Sequence, residues 1–264
     1  MCTKKKIIIR VDGGFCSQLF FIALGHHFEQ QGAKVKYDLC WFDKYGKDMD
    51  NKFDRSYVLH HAFPKMKVRR ATNFEVWIYR HFFKSKWSEY KFPNRLYING
   101  YPPRDHLVQR YKNYFISEFN PIDKDRISDL LEMINKPNAC AVHVRRGDLA
   151  KINEFYGSPP TKEYFLHAID YVKQQIPNVE FFFFSDEMNW VKENIVPAIP
   201  KDTVYHLCDK NGSDKGYLDV FLISHAAAII ASQGSFGPTG LYLNRNKDVV
   251  YVSQKTFQPK ENAK

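Results

Sequence analysis

The sequence predicts an α/β protein of two Rossmann-like units in tandem, and three observations carry that reading. A chain of 264 residues, 44% hydrophobic and 26% charged, suits two ordinary globular domains. Its opening reads strand, glycine-rich turn, helix, strand. Its second half alternates short apolar runs with amphipathic stretches, the β-α-β-α-β-α-β-α-β order of a doubly wound parallel sheet. The break at Asn120-Pro121 divides the chain into units 1–121 and 122–264.

Lys6 to Val11 is a β-branched run that reads as a buried strand. Asp12-Gly13-Gly14 turns it into a helix expected from about Ser17 to Gln31, closed by Gly32, and Ala33 to Leu39 is the next strand. Gly13 and Gly14 would let a ligand approach the backbone closely, although a plain strand-to-helix connection explains them equally well. Neither G-x-G-x-x-G nor a G-x-x-x-x-G-K-[ST] phosphate loop occurs. Asn73 to Tyr90 mixes aromatic and basic residues. That mixture fits nucleic-acid binding, but a packed helix with snorkelling Lys and Arg is the preferred reading. Leu96 to Tyr101 reads as a strand, and Arg104 to Glu118 as a helix.

In the second unit, Ile127, Leu130, Leu131 and Ile134 recur at helical spacing between Asp123 and Asn135, and Pro137 stops them. The apolar strand Ala139 to Val144 then empties into Arg145-Arg146-Gly147-Asp148. Open α/β sheets bind ligands at such carboxyl ends, and arginine offers a permanently charged fork suited to phosphate. His143 should share a strand face with Arg145, leaving Arg146 on the other. The alternative is a solvated turn in which Asp148 pairs with an arginine. After a polar loop holding Glu154, Ser158 to Thr161 starts a helix with a Tyr164, Phe165, Ala168, Ile169 and Val172 stripe. Val179 to Phe184 is apolar on both faces, hence a central strand. Ser185-Asp186-Glu187 reads as the N-cap cluster of a helix reaching Ile195. Thr203 to Leu207, Ala228 to Ala231 and Asp248 to Val252 complete the strands, with a helix around Leu218 and Phe221 and another after Ser235.

The net charge of +10 calls for an anionic partner: nucleic acid, a membrane surface or a phosphorylated small molecule. No nucleic-acid module is recognisable. Five scattered cysteines form no CxxC pair, so neither a zinc site nor a disulfide framework is indicated. No apolar run approaches the ~18 residues of a membrane span, and the basic amino terminus lacks a signal-like apolar core. The expectation is a cytoplasmic protein, with peripheral contact to an anionic inner membrane left open by the charge.

Four motifs in order carry a family resemblance. His143-Val144-Arg145-Arg146-Gly147-Asp148 resembles the H-x-R-R-x-D signature of α-1,2-, α-1,6- and protein O-fucosyltransferases. Gly13-Gly14-Phe15-Cys16-Ser17-Gln18-Leu19-Phe20 resembles G-G-[LF]-G-N-Q-[ML]-F of bacterial α-1,2-fucosyltransferases. Phe184-Ser185-Asp186-Glu187 with Trp190-Val191-Lys192 is similar to their F-S-D-D-x-x-W-[AV]-K, and Tyr217-Leu218-Asp219 through Asn244 to their last segment. Two stretches depart from the pattern. Cys16-Ser17 stands for Gly-Asn, and Gln233 to Thr239 lacks the tryptophans of S-S-F-S-W-W-G.

The resemblance implies a GT-B fold, two Rossmann-like domains facing a cleft, the first on the acceptor side and the second binding GDP-sugar. It implies inverting transfer of fucose from GDP-fucose to a hydroxyl, galactose O2 above all, of an oligosaccharide or glycolipid, as in O-antigen synthesis, with no metal and no nucleic acid. By resemblance Arg145 meets the β-phosphate, His143 lines the nucleotide pocket, and Asp219 accepts from guanine N1 and N2. Gly13, Gly14, Ser185, Asp186, Ser235 and Phe236 complete the donor set. Inversion needs a base; Asp148, Glu154 and Asp12 are the candidate carboxylates. A catalytically altered GDP-sugar-binding relative, or a transferase of different linkage, are the other readings.

Overall fold

Three consecutive isoleucines, Ile7 to Ile9, are buried on both faces of the first strand, which demands cover on both sides and neighbours on both edges. The computed structural model describes residues 5–44, 46–48, 53–85, 95–100, 106–147, 159–255 and 257. Its contacts divide the chain into Met1–Asn120 and Pro121–Lys264.

In the amino-terminal unit β1 (Lys6–Arg10) lies between β2 (Lys34–Asp38) and β6 (Arg95–Ile98), and β6 also pairs with β5 (Lys84–Ser85). All of these pairings are parallel. The helix α1 (Phe15–Gln30) begins directly after Gly14, two residues earlier than the apolar periodicity suggests, because Phe15 and Cys16 are buried with it. Gly32 ends it at φ +83°, with the Ala33 N–H reaching back to the Phe28 carbonyl (3.0 Å). Between the strands lie α2 (Cys40–Lys44), the short antiparallel pair β3 (Lys47–Asp48) and β4 (Phe53–Asp54), α3 (Leu59–Ala62) and α4 (Asn73–Phe82). Thr72 and Glu75 form a capping box at the start of α4. The helix expected up to Glu118 is two, α5 (His106–Arg110) and α6 (Lys112–Glu118), broken at Tyr111, where the backbone leaves helical values.

The carboxyl-terminal unit is a five-stranded parallel sheet in the order β11-β10-β7-β8-β9. Its strands are β7 (Ala139–Val144), β8 (Glu180–Ser185), β9 (Tyr205–Leu207), β10 (Ala228–Ala231) and β11 (Val250–Ser253). The expected helix from Asp123 is a 3₁₀ turn (Lys124–Ile127) followed by α7 (Ser128–Ile134). α8 (Lys162–Gln175) is capped by the Thr161 hydroxyl, and Phe165, Ala168, Ile169 and Val172 are its buried stripe. After β8 comes one turn of helix, α9 (Met188–Trp190). It widens to π geometry over Val191–Ile195 and tightens to 3₁₀ over Val196–Ala198. Val191 and Ile195, four residues apart on one face, are both buried against the sheet, and Pro197 lies in the 3₁₀ turn that follows. α10 (Gly216–Ile223) and α11 (Phe236–Tyr242) pack together beside β10.

One polar knot braces the amino-terminal core. The Asp38 carboxylate, buried at the end of β2, accepts hydrogen bonds from Tyr97 Oη (2.7 Å), Arg80 Nη2 (3.1 Å) and the Cys40 N–H (2.9 Å). Burial opposes ionisation of Asp38, but the Tyr97 and Cys40 hydrogen bonds and the Arg80 charge outweigh it and hold the carboxyl below its ordinary pKa. A depressed carboxyl pKa stabilises the fold above the unfolded value near 4 and loses that contribution as pH falls. Tyr97→Phe should therefore cost about 1–3 kcal/mol at pH 7 and move the acid-unfolding midpoint upward, as read from urea titrations at several pH values.

Candidate functional site

A parallel sheet leaves a crevice where neighbouring crossovers depart in opposite directions. In the carboxyl-terminal unit the chain runs from β7 outward through β8 and β9, then returns to β10 on the other side of β7 and continues to β11. The reversal falls between β7 and β10, in the register His143 opposite Ala231. The carboxyl ends of these two strands carry His143, Arg145, Ser232, Gly234, Ser235 and Phe236.

Long-range bonds fix this edge. Ser232 Oγ accepts the Arg145 N–H (2.9 Å) and lies 3.2 Å from His143 Nδ1. With Oγ accepting from Arg145, its own proton is free to donate to Nδ1, a pairing that puts the ring proton on Nε2. The His143 ring is buried and stacks on Phe236 (centroids 4.9 Å apart, 18° between planes). Tyr164 Oη, from α8, donates to the Ala231 carbonyl (2.8 Å) and pins the end of β10 from below. The Arg145 side chain lies along the next turn. A Cβ on Gly234 would stand 2.8 Å from Arg145 Nη1, and Gly234 also sits at φ +106°. The φ favours glycine, and its missing Cβ leaves the guanidinium room to lie against the turn.

The two arginines separate. Arg146 lays its guanidinium on the Trp190 ring, 4.0 Å from the centroid, and donates through Nη1 to the Pro160 carbonyl. It thereby clamps the turn to α9 and is turned away from the β7–β10 edge. Asp186, expected among the donor-binding residues, accepts the N–H groups of Arg146 (3.0 Å) and Gly147 (3.2 Å). Ser185 Oγ accepts the Glu187 N–H (3.0 Å). The Ser185-Asp186-Glu187 cluster is thus not the N-cap that its composition suggests: the cap position of α9 has no side-chain bond, and Asp186 braces the turn after β7 instead.

Asp219, in the first turn of α10, accepts from Asn211 Nδ2 (2.7 Å). Burial pushes its carboxyl up to about 7, against the opposing effect of that hydrogen bond. Ser235 occupies the cap position of α11 without a side-chain cap bond. In the amino-terminal unit β1 has β2 on one side and β6 on the other, so the segment after β1 starts at the carboxyl edge between them. Gly13 (φ +76°) and Gly14 turn the chain there into α1. Asp12 pairs with Arg10 (3.3 Å), whose Nη1 donates to Asn99 Oδ1 (3.3 Å) across the gap. Gln18, buried, clamps the turn: Nε2 donates to the carbonyls of Gly13 (3.0 Å) and Ser56 (2.9 Å), and Oε1 accepts the Val58 N–H (3.0 Å). Asp148 and Glu154 lie outside the described residues. Among the described residues no group of three or more His, Cys, Asp or Glu side chains is arranged to hold a metal ion, and no helix is long and apolar enough to cross a membrane.

The family model described as glycosyl transferase family 11 matches residues 54–264. The chain belongs to glycosyl transferase family 11. This family 11 chain is 24% identical over 262 residues to the alpha-1,2-colitosyltransferase of Escherichia coli, across 92% of its own length and 89% of that protein's. It is 26% identical over 123 residues to the Escherichia coli O-antigen biosynthesis glycosyltransferase WbnK, across 46% of its own length and 39% of that protein's. The crystal structure of POFUT1 in complex with GDP matches its fold with a TM-score of 0.51 at 11% identity, covering 96% of this chain and 99% of that one. The fold is GT-B, built from two Rossmann-like units, and the protein is a glycosyltransferase.

Sequence reasoning named His143, Arg145, Ser235 and Phe236 for the site and placed Ser232 beside Ser235 at a strand end, but it read Tyr164 only as part of the α8 stripe and gave Gly234 and Asn211 no role. Ser232→Ala would strip a partner from both the Arg145 N–H and the His143 ring. The expected cost is about 1–3 kcal/mol of unfolding free energy by urea denaturation.

Proposed function

We propose that this glycosyltransferase moves L-fucose from GDP-fucose, with inversion, to galactose O2 of an oligosaccharide or glycolipid acceptor. The observation that carries the reading is Arg145, held at the β7–β10 reversal by Ser232 and laid along the Gly234 turn, in a family 11 chain. As the glycosidic bond breaks, charge develops on the leaving diphosphate, and a preorganised guanidinium there lowers the barrier without solvent reorganisation. His143, Phe236 and Ser232 support Arg145 and the pocket floor, Ser235 meets phosphate or ribose, and Asp219 reads the guanine edge. Gly13 and Gly14, in the turn after β1, let the donor approach the backbone closely. The proton acceptor is drawn from Asp12, Asp148 and Glu154; among Asp12→Asn, Asp148→Asn and Glu154→Gln, the variant that loses kcat at unchanged donor affinity identifies it. The name of the colitosyltransferase relative favours a second donor reading, colitose in place of fucose with the same linkage. Side-by-side transfer from the two GDP-sugars to a galactoside, with product linkage read by NMR, separates the readings.

If Asp219 accepts from guanine N1–H and N2–H, GDP should bind at least about 10-fold tighter than ADP or UDP in calorimetry. Those donors favour the carboxylate, and the carboxyl of the unliganded protein titrates at about 7. GDP affinity should therefore rise with pH, by roughly 10-fold between pH 6 and 8, and Asp219→Asn should abolish that slope. Stability has the opposite sign: a raised acid pKa contributes below about 4 and is lost as pH climbs through 7.

Arg145→Lys keeps the charge and loses the fork. Its kcat should fall about 100- to 1,000-fold with a small change in KM, because the contact strengthens as the leaving group gains charge. Arg146→Lys, removed from that edge, should act through stability. Steady-state transfer in excess EDTA measures both variants and tests the metal-free scheme at once, since full loss of wild-type activity restored by Mn²⁺ would contradict it.

A further inference from the structure

The helix α4 buries one side and shows aromatic rings on the other. Val76 and Tyr79 pack with Ile8, Cys40, Ala71 and Tyr97 in the core of the amino-terminal unit. Opposite them, Phe74 is 69% exposed, Trp77 54% and Phe82 69%. These rings touch one another. Trp77 has Phe74 on one side (centroids 6.5 Å apart) and His81 on the other (5.1 Å), with Phe82 edge-on at 6.3 Å. A contiguous aromatic face of this kind on a soluble protein marks an interaction surface.

Charge chooses the partner. Residues 1–120 hold 22 Lys and Arg against 11 Asp and Glu, whereas residues 121–264 hold 17 against 18, so the whole positive excess sits in the unit that carries α4. From Lys65 to Lys84 there are six basic residues and one acid, Glu75. Glu75 is spent locally, capping Thr72 and pairing with Lys36 (2.6 Å). Lys65, Lys67 and Arg69 are exposed in the segment before the helix and Lys84 after it, while Arg70, also exposed, is paired with Asp43. Arg80, half-exposed, pairs with Asp38 and Tyr97.

We propose that this outer face of α4 docks on an anionic lipid bilayer, with Phe74, Trp77 and Phe82 entering the headgroup boundary while the flanking Lys and Arg side chains meet lipid phosphates. Amphipathic helices with aromatic rings between basic residues lie in that plane, and each basic side chain near an anionic leaflet adds attraction that salt screens. Nucleic acid, which stacks bases on exposed rings, is the alternative occupant that the test separates from a bilayer. None of these residues belongs to the candidate donor site, so docking and transfer can fail separately.

The test is co-sedimentation of the full chain with vesicles of phosphatidylcholine alone or with phosphatidylglycerol added. Binding to the anionic vesicles only, weakened by salt, is expected. The triple variant Phe74→Ser/Trp77→Ser/Phe82→Ser should lower it at least about 10-fold. Its circular dichroism and GDP binding should be unchanged, because the three rings are outside the core. Brominated acyl chains should quench tryptophan fluorescence in the wild type and less in Trp77→Phe. The proposal is overturned by absence of anionic-vesicle binding, by equal binding to neutral vesicles, or by undiminished binding of the triple variant. Retention of a single-stranded oligonucleotide in place of vesicles would equally overturn it.

Discussion

When two adjacent parallel strands send their crossover connections to opposite sides, no loop covers the gap between their carboxyl ends. β7 and β10 are such a pair, and the chemistry proposed for this protein rests on the gap they leave. An open edge is useful only if its side chains are held, and Ser232 does that holding by joining the Arg145 backbone to the His143 ring across the gap. Tyr164 below and Phe236 above complete the support. A guanidinium kept in place before the substrate arrives needs little rearrangement during the reaction, which is where electrostatic catalysis gains most.

The divergence of Arg145 and Arg146 follows from the same geometry. Successive side chains leave a strand on opposite faces, so one arginine lies along the Gly234 turn while the other reaches Trp190. The family-like F-S-D-E segment serves this arrangement from the next strand, since Asp186 binds the N–H groups of Arg146 and Gly147. An acidic residue adjacent to an arginine motif is thereby a brace for the backbone. In the amino-terminal unit Gln18 plays a comparable part, tying the Gly13 carbonyl to the Ser56–Val58 segment. It explains why a glutamine sits buried in the otherwise apolar start of α1.

The chain departs from its family pattern at Cys16-Ser17 and at Gln233 to Thr239, and the two departures have different consequences. Cys16 is buried against the core of α1, so it acts through packing. Gly237, standing in the tryptophan-free stretch, lets α11 approach β10: a Cβ there would meet Ala231 Cβ at 2.4 Å. The motif thus retains its turn and gives up aromatic bulk. The turn is what meets Arg145, through Gly234.

By itself the sequence determined the parallel α/β architecture, every strand of the second sheet to within two residues, a helix start at Ser158 to Thr161 and the membership of Arg145 and His143 in one edge. These are local facts: apolar period, glycine and proline punctuation, and strand alternation are written in neighbouring residues. The structure decided what depends on residues far apart in the chain. Ser232 reaches His143 and Arg145 from about ninety positions away, and Asp186 reaches Arg146 from forty. The carboxyl of Asp219 titrates near 7 because the folded chain dries its surroundings. The mixed aromatic and basic run at α4 was read as core packing with snorkelling cations. Only the placement of Val76 and Tyr79 against the sheet shows that its remaining rings face outward. Periodicity tells that a helix has two faces; which of two apolar faces meets the core is settled by the rest of the fold.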